Sequence, residues 1–221
     1  FAFSFIASAV LSFAYKKLAG KPKQPDFNSF TNEAIQRKSL IRSPVADRSI
    51  IYGSVRKGGA IVHAETLNNN KDLYLVIALC GHEVNSIGSV FFNDTEITTG
   101  QLDGSGNVTS GTFSGKAQII KHLGSTTQTV DTVLDSASTV WTSNHRLRGV
   151  AYLMVKLTYE TDVFPNGIPN ISAVIEGKKI LNVSTSATAY SNNPANIIYN
   201  YLTSSDGLGA STSEIDLATF Q

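Results

Sequence analysis

The chain opens with fifteen residues, Phe1 to Tyr15, that carry no charge, and Phe3, Ile6, Val10 and Phe13 recur among them at spacings of three, four and three. That spacing is a short heptad seam. The remaining positions are apolar or small, so a helix here would be covered nearly all round. Such a helix would be about 22 Å long, short of the roughly 30 Å of a bilayer core. Three readings stand side by side: a buried or self-associating helix, a membrane contact, or a targeting segment, the last without a small-x-small cleavage site before Lys16. A Pro- and Lys-bearing linker, GKPKQP, follows at residues 20–25, and residues 26–47 are polar with scattered Phe and Ile, which predicts an extended arm.

From Ser49 onward the pattern becomes one of strands and turns. Residues 50–52 and 60–64 read as two strands around a turn made by Gly53 and Gly58-Gly59. Asn68-Asn69-Asn70 predicts the next turn. Residues 73–79, LYLVIAL, form a continuous apolar run, which predicts a strand buried on both faces. Gly88 opens a turn before a strand over 89–92, Asn93-Asp94 closes that strand, and Glu96-Ile97 resumes. Residues 99–115 have few apolar anchors and predict a mobile loop or a long exposed hairpin. Further strands are expected over 116–123, 149–159 and 171–180, with a proline-stiffened turn over 164–170 before the last. Val133-Leu134 with Ser136-Ala137 reads as a short helix. Asn193-Pro194 supplies an N-cap and first-turn proline for another, with Ile197, Ile198, Tyr201 and Leu202 on one face. Ser213-Glu214-Ile215-Asp216 resembles a capping box. The expected fold class is mainly β with short helices (α+β). The expected parts are an apolar helix over 1–19, an arm over 20–47 and a β-rich region over 48–221.

Composition adds a thin charge coat: 42% of the 221 residues are apolar and only 16% charged, so part of the surface is expected to be covered by partners. The formal net charge is +1, and the cationic clusters (Lys16-Lys17 with Lys21 and Lys23, Arg37-Lys38) are short, which argues against sequence-specific nucleic-acid binding. The single cysteine, Cys80, lies in an apolar run and reads as a small buried hydrophobe without a disulfide, consistent with cytoplasmic assembly. The chain has no initiating Met and ends just after a helix-start signal, so it is expected to be an ordered piece of a longer polypeptide.

Candidate chemistry is sparse. Gly81-His82-Glu83 hints at a metalloenzyme, but the zincin motif needs a second His on a helix, and position 86 is Ser in a strand pattern. His63, His122 and His145 stand singly and read as surface or hydrogen-bonded residues. Asp103-Gly104-Ser105-Gly106-Asn107 begins like a calcium loop, yet Val108 takes the turn-glycine position and Ser114 the position that needs a bidentate carboxylate. Gly111-Thr112-Phe113-Ser114-Gly115 puts its Ser one place late for a nucleophile elbow. Glu65 and Asp72 have no special spacing and read as solvated. The N-x-[ST] sequons at Asn93, Asn107, Asn170 and Asn182 are what an Asn-, Ser- and Thr-rich chain produces by chance. No catalytic, cofactor-binding or metal residue is assigned, and no cofactor or enzymatic role is expected.

Several stretches together resemble the N-terminal region of the phage tail-tip attachment proteins, the host-specificity or protein J family of long-tailed phages. They are Ser43-Pro44-Val45-Ala46-Asp47-Arg48-Ser49-Ile50-Ile51-Tyr52-Gly53; residues 73–79 with Gly81-His82-Glu83-Val84; Val90-Phe91-Phe92-Asn93-Asp94; residues 141–152, WTSNHRLRGVAY; residues 164–170, FPNGIPN; and Tyr190-Ser191-Asn192-Asn193-Pro194-Ala195, with Tyr201-Leu202-Thr203 and Gly207-Leu208-Gly209. Their order is kept from residue 43 to 209. The resemblance implies a β-rich hub module in a homotrimer at the virion tail tip, in contact with distal tail proteins and the tape-measure protein. Such a hub joins the distal tail to the central fibre and closes the DNA channel until ejection. Host receptor binding would reside downstream. Under this reading Phe3, Ile6, Val10 and Phe13 form the oligomer or tape-measure contact. The alternatives are a receptor- or carbohydrate-binding β-module, or a membrane-active segment used during DNA ejection.

Overall fold

The computed structural model describes residues 40 and 46–220. The chain divides after Ile35, and the described residues belong to its second part. The expected helix over 1–19, with Phe3, Ile6, Val10 and Phe13, lies outside the described residues, as does most of the arm over 20–47.

The described residues are mainly β, with few short helices. In chain order the elements are β1 (Ser54–Gly58), β2 (Ala60–Leu67), β3 (Asp72–Cys80), β4 (Ser86–Phe92), β5 (Thr95–Ile97), β6 (Ala117–His122), α1 (Thr132–Ala137), β7 (Ala151–Thr158), β8 (Ile171–Glu176), β9 (Lys179–Leu181), β10 (Thr188–Tyr190) and α2 (Pro194–Thr203). Two four-stranded antiparallel sheets run β2-β3-β7-β6 and β1-β8-β4-β5.

The two long apolar strands explain the architecture. Alternate residues of β3 (Leu75, Ile77, Leu79) and β7 (Leu153, Val155, Leu157) enter one core with Ile87, Val90 and Phe92 of β4 and Ile171, Ala173 and Ile175 of β8. That core makes the two sheets a sandwich. The intervening residues Tyr74, Val76, Tyr152 and Met154 enter a second cluster with Leu134 of α1 and Trp141. Both faces of β3 and β7 are therefore covered, which is why residues 73–79 lack alternation. Leu153, Val155 and Met154 are fully buried, and each such side chain contributes about 1.5–3 kcal/mol.

The β2–β3 connection is a turn in which Asn68, Asn69 and Asn70 all take left-handed backbone, φ 54°, 55° and 61°, a region asparagine tolerates better than most residues. Gly59 lets the chain pass from one sheet to the other. A Cβ there would lie 2.3 Å from the Ala78 carbonyl oxygen.

Several expectations are corrected. Residues 50–52 and 60–64 are not a hairpin: 50–52 precede β1, and β1 and β2 lie in different sheets. The strand β1, SVRKG, is polar because it owes its extension to pairing with β8 from Ser54↔Glu176 to Gly58↔Ser172. Gly88 does not open a turn but lies within β4, in a register shift between Ile87 and Val90. The expected strand over 171–180 is two, β8 and β9, which belong to different sheets. Residues 99–115 are largely exposed and include a short hairpin closed by the antiparallel bridge Leu102↔Val108, anchored rather than free. A 3-10 turn over Thr99–Gln101, bridges Leu102↔Val108 and Asn107↔Gln118, and the buried Val108 and Phe113 fasten the segment to the main core. The late capping box is formed by Ser211 with Glu214, two residues earlier than expected, because Ser211 precedes the 3-10 turn Thr212–Glu214.

The C-terminal part is a β9–β10 hairpin with α2 against β9. Asn193 caps α2 through the Ala195 N–H, with Pro194 in its first turn, as the sequence predicts. Tyr52 donates to Asn200 Oδ1 at 2.9 Å, tying α2 to the segment before β1. Among the described residues no helix is long and apolar enough to cross a membrane.

Candidate functional site

The histidines are the first test of catalysis. His82 follows β3 and is held from both sides: the Ile51 N–H donates to Nε2 at 2.8 Å, so Nδ1 carries the proton and donates to the Glu83 carbonyl at 2.8 Å. Both ring nitrogens are spent on backbone, and neither offers a lone pair to a metal. Burial pushes the His82 pKa below the ordinary imidazole value, helped by Lys178 and Arg48 and opposed by the Glu83 carbonyl and Asp206. Glu83 points to an exposed position. The His-Glu pair is a latch between the end of β3 and the segment before β1.

His63 and His145, remote in sequence, both pack against Trp141, with ring centroids 5.0 and 4.8 Å from it. Glu65 Oε2 accepts from Ser138 Oγ at 2.5 Å and lies 3.2 Å from His63 Nε2. A nucleophile relay needs the imidazole between hydroxyl and carboxylate; here the carboxylate is in the middle. Ser138 Oγ also accepts the N–H groups of Val140 and Trp141, so it anchors a turn. His122 Nε2 lies 2.7 Å from Asp131 Oδ2, and Asp131 also caps α1 through the Leu134 N–H. His122 stacks on Tyr152 at 4.2 Å. Burial raises the Tyr152 pKa, reinforced by Asp131. This pair fastens α1 to the sheet.

The acids behave likewise. The Asp103 carboxylate accepts the N–H groups of Ser105 and Asn107 and the Asn107 amide, so the calcium-like stretch is a self-satisfied turn. Asp72 is buried, contrary to its solvated reading, and accepts from Thr158 at 2.7 Å and Asn68 at 3.3 Å beside Lys156 at 3.3 Å. Burial raises its pKa, but these hydrogen bonds and the Lys156 charge outweigh that and hold it below the usual carboxylate range. Among the described residues no group of three or more His, Cys, Asp or Glu is gathered to hold a metal ion. Cys80 is buried, as expected, and burial raises its pKa.

What remains is a recess at the end of β3. The segment before β1 runs along it: the Gly81 N–H donates to the Ser49 carbonyl at 3.1 Å, and Ser49 Oγ donates to the Leu79 carbonyl at 3.3 Å. Arg48 lies across Gly81, donating from Nε and Nη2 to its carbonyl at 3.0 and 2.7 Å. A Cβ on Gly81 would come within 2.1 Å of the Arg48 side chain, so only glycine admits this contact. The recess, about 340 Å³, is lined by Asp47, Arg48, Lys57 and Arg148, with Ala60 and Val62 of β2 as an apolar wall. Lys57 Nζ donates to the Leu79 carbonyl at 2.9 Å, and burial lowers its pKa against a small opposing pull from Cys80. Three separate segments supply these cations, so nothing local in the sequence announced them beyond the Arg residues themselves.

The fold and its side-chain chemistry define a class: a β-sandwich in which His82, His122, Asp72 and Asp131 hold segments together, with a cationic recess beside an edge strand. A scan of the chain against protein-family models finds no match, and neither does a search of curated proteins. Among solved structures the fold is similar to that of a chain in the virion of a native gene transfer agent (GTA) particle, at 17% identity and a TM-score of 0.50 over 81% of this chain. This chain spans 36% of the length of that one.

Proposed function

We propose that this protein is a structural component of a phage-like virion, acting through contacts with other virion proteins and not as an enzyme. The observation that carries this is the likeness of the β-sandwich to the gene transfer agent virion chain over most of the described residues. The commitment of His82, His122 and Ser138 to backbone or capping partners supports the non-enzymatic part of the reading.

More specifically, we read it as the hub of a long-tailed particle's tail tip, a homotrimer that meets distal tail and tape-measure proteins. The segments that resemble the attachment-protein family support this by touching one another in the fold. Arg48 and Ile51 bind Gly81 and His82, and Asn93 and Asn170 exchange hydrogen bonds at 2.7 and 2.9 Å. Phe3, Ile6, Val10 and Phe13 are proposed as the trimer or tape-measure contact. A charged residue at Val10 or Phe13 should then block tail assembly, and infectious particles from that variant would contradict it. The test of the broader reading is fractionation of particles made with a tagged chain. Co-sedimentation with tails is expected. A tag found only in the soluble fraction overturns the proposal.

A further inference from the structure

We propose that the recess beside β2 docks an acidic, extended segment of a neighbouring protein chain, with an Asp or Glu side chain seated among Arg48, Lys57 and Arg148. The inference rests on the recess's own chemistry and does not require the virion reading.

The charge balance comes first. Among the described residues none of the three cations has an acid within ion-pair distance; the ion pairs there involve Arg56, His63, Lys116, His122, Lys156 and Lys178. Each cation instead rests on a backbone carbonyl, Arg48 on Gly81, Lys57 on Leu79, and Arg148 on Gln128 at 3.3 Å. Those bonds use a minority of the donors a guanidinium or ammonium carries, leaving the rest for an incoming acceptor. Asp47, which also lines the recess, offsets one of the three charges without pairing, which leaves an excess of positive charge. Burial lowers the Lys57 pKa, so its ammonium sits at a cost that a bound carboxylate would relieve.

Shape selects the kind of ligand. The recess is at the small end of ligand-site volumes and suits one or two side chains. Its apolar wall is Ala60 and the half-exposed Val62, and these belong to β2, the outermost strand of its sheet. An edge strand offers unpaired backbone groups to an extended peptide, with pockets beside it for alternate side chains. The register shift between Ile61 and His63 limits this pairing to a short stretch, consistent with a brief segment and not a whole added strand.

The test uses the full chain and N-acetylated, C-amidated pentapeptides of sequence Ala-Val-Asp-Val-Ala and its Asn counterpart, followed by amide chemical shifts of Ala60 and Val62 at low salt. The Asp peptide should bind ~10-fold more tightly than the Asn peptide, a difference of about 1.4 kcal/mol. The exposed Arg148→Glu should remove that preference, while Arg146→Glu, outside the recess, should keep it. Val62→Asp, also at an exposed position, should weaken the Asp peptide by a similar factor and serves if Arg148→Glu fails to fold. Equal binding of both peptides, or an unchanged preference in Arg148→Glu, overturns the proposal. So does tighter binding of a neutral peptide with a free C-terminal carboxylate, or displacement of the Asp peptide by inorganic phosphate at equal concentration. Particle fractionation is unaffected by any of these outcomes.

Discussion

Replacing His82 by Phe keeps a ring in the site and removes both of its hydrogen bonds. The Ile51 N–H, on a residue only 4% exposed, loses its acceptor. A buried donor left without a partner costs about 1–3 kcal/mol, and the lost bond from Nδ1 to the Glu83 carbonyl adds about 0.5–1.5 kcal/mol. Together the loss should be about 2–4 kcal/mol. With a urea slope of about 2 kcal/mol per molar, the midpoint of unfolding should fall by roughly 1–2 M. The Ile51 amide should also exchange faster with solvent. The pH dependence gives a second, independent check. His82 has a folded pKa below its ordinary value of 6.5, so the unfolded chain takes up a proton that the folded chain refuses. Stability from the latch is therefore complete above that ordinary value and is lost as pH falls towards the folded value. The gap between wild type and His82→Phe should be widest near pH 7.5 and shrink towards about pH 5. Because the comparison is a difference, the other titrating groups largely cancel. Urea melts across this range are the assay. A gap that stays constant or widens on acidification refutes the latch, as does a midpoint shift below about 0.3 M.

Gly59→Ala should destabilise the sandwich strongly, since the added methyl meets the Ala78 carbonyl oxygen at 2.3 Å; an unchanged melting temperature would refute the corner. Phe113→Ala should cost about 3–5 kcal/mol and expose residues 99–115 to limited proteolysis, because Phe113 packs edge-on to Phe92 at 4.9 Å and stacks on Phe164 at 5.7 Å. Asp131→Ala should cost about 1–2 kcal/mol from the lost cap of α1, and Asp131→Asn should recover much of it in thermal melts. Asp72, held below the usual carboxylate range, contributes stability that is present above the ordinary Asp value and lost as pH falls through its folded value; Asp72→Asn should flatten the acid limb of the stability profile.

How much of this could be read from residue order depends on where the determining contacts lie. The runs over 73–79 and 149–159 announced β3 and β7 because a strand covered on both faces needs apolar residues at every position, and α1 with Trp141 supplies the second cover. Asn68-Asn69-Asn70 and Asn193-Pro194 carry their conformational preference locally, and both features appear where expected. The strand β1 was illegible because Arg56 and Lys57 are polar and extended only by pairing with β8, more than a hundred residues away. Residues 99–115 were legible as an exposed hairpin but not in their anchoring: the two buried residues that fasten them, Val108 and Phe113, make no periodic pattern. At the candidate site, the role of His82 is set by Ile51, and His63 and His145 come near one another only through their shared packing on Trp141. The cationic recess draws on the segment before β1, on β1 itself and on the segment before β7. Such juxtapositions are products of the tertiary fold and leave no local spacing to detect.

The central claim, a virion structural module, is tested most directly by cryo-electron microscopy of particles from cells that encode the chain. The account predicts density for the two packed sheets at the distal end of the tail, repeated three times around its axis. Particles complete in every part yet lacking this β-sandwich would contradict it.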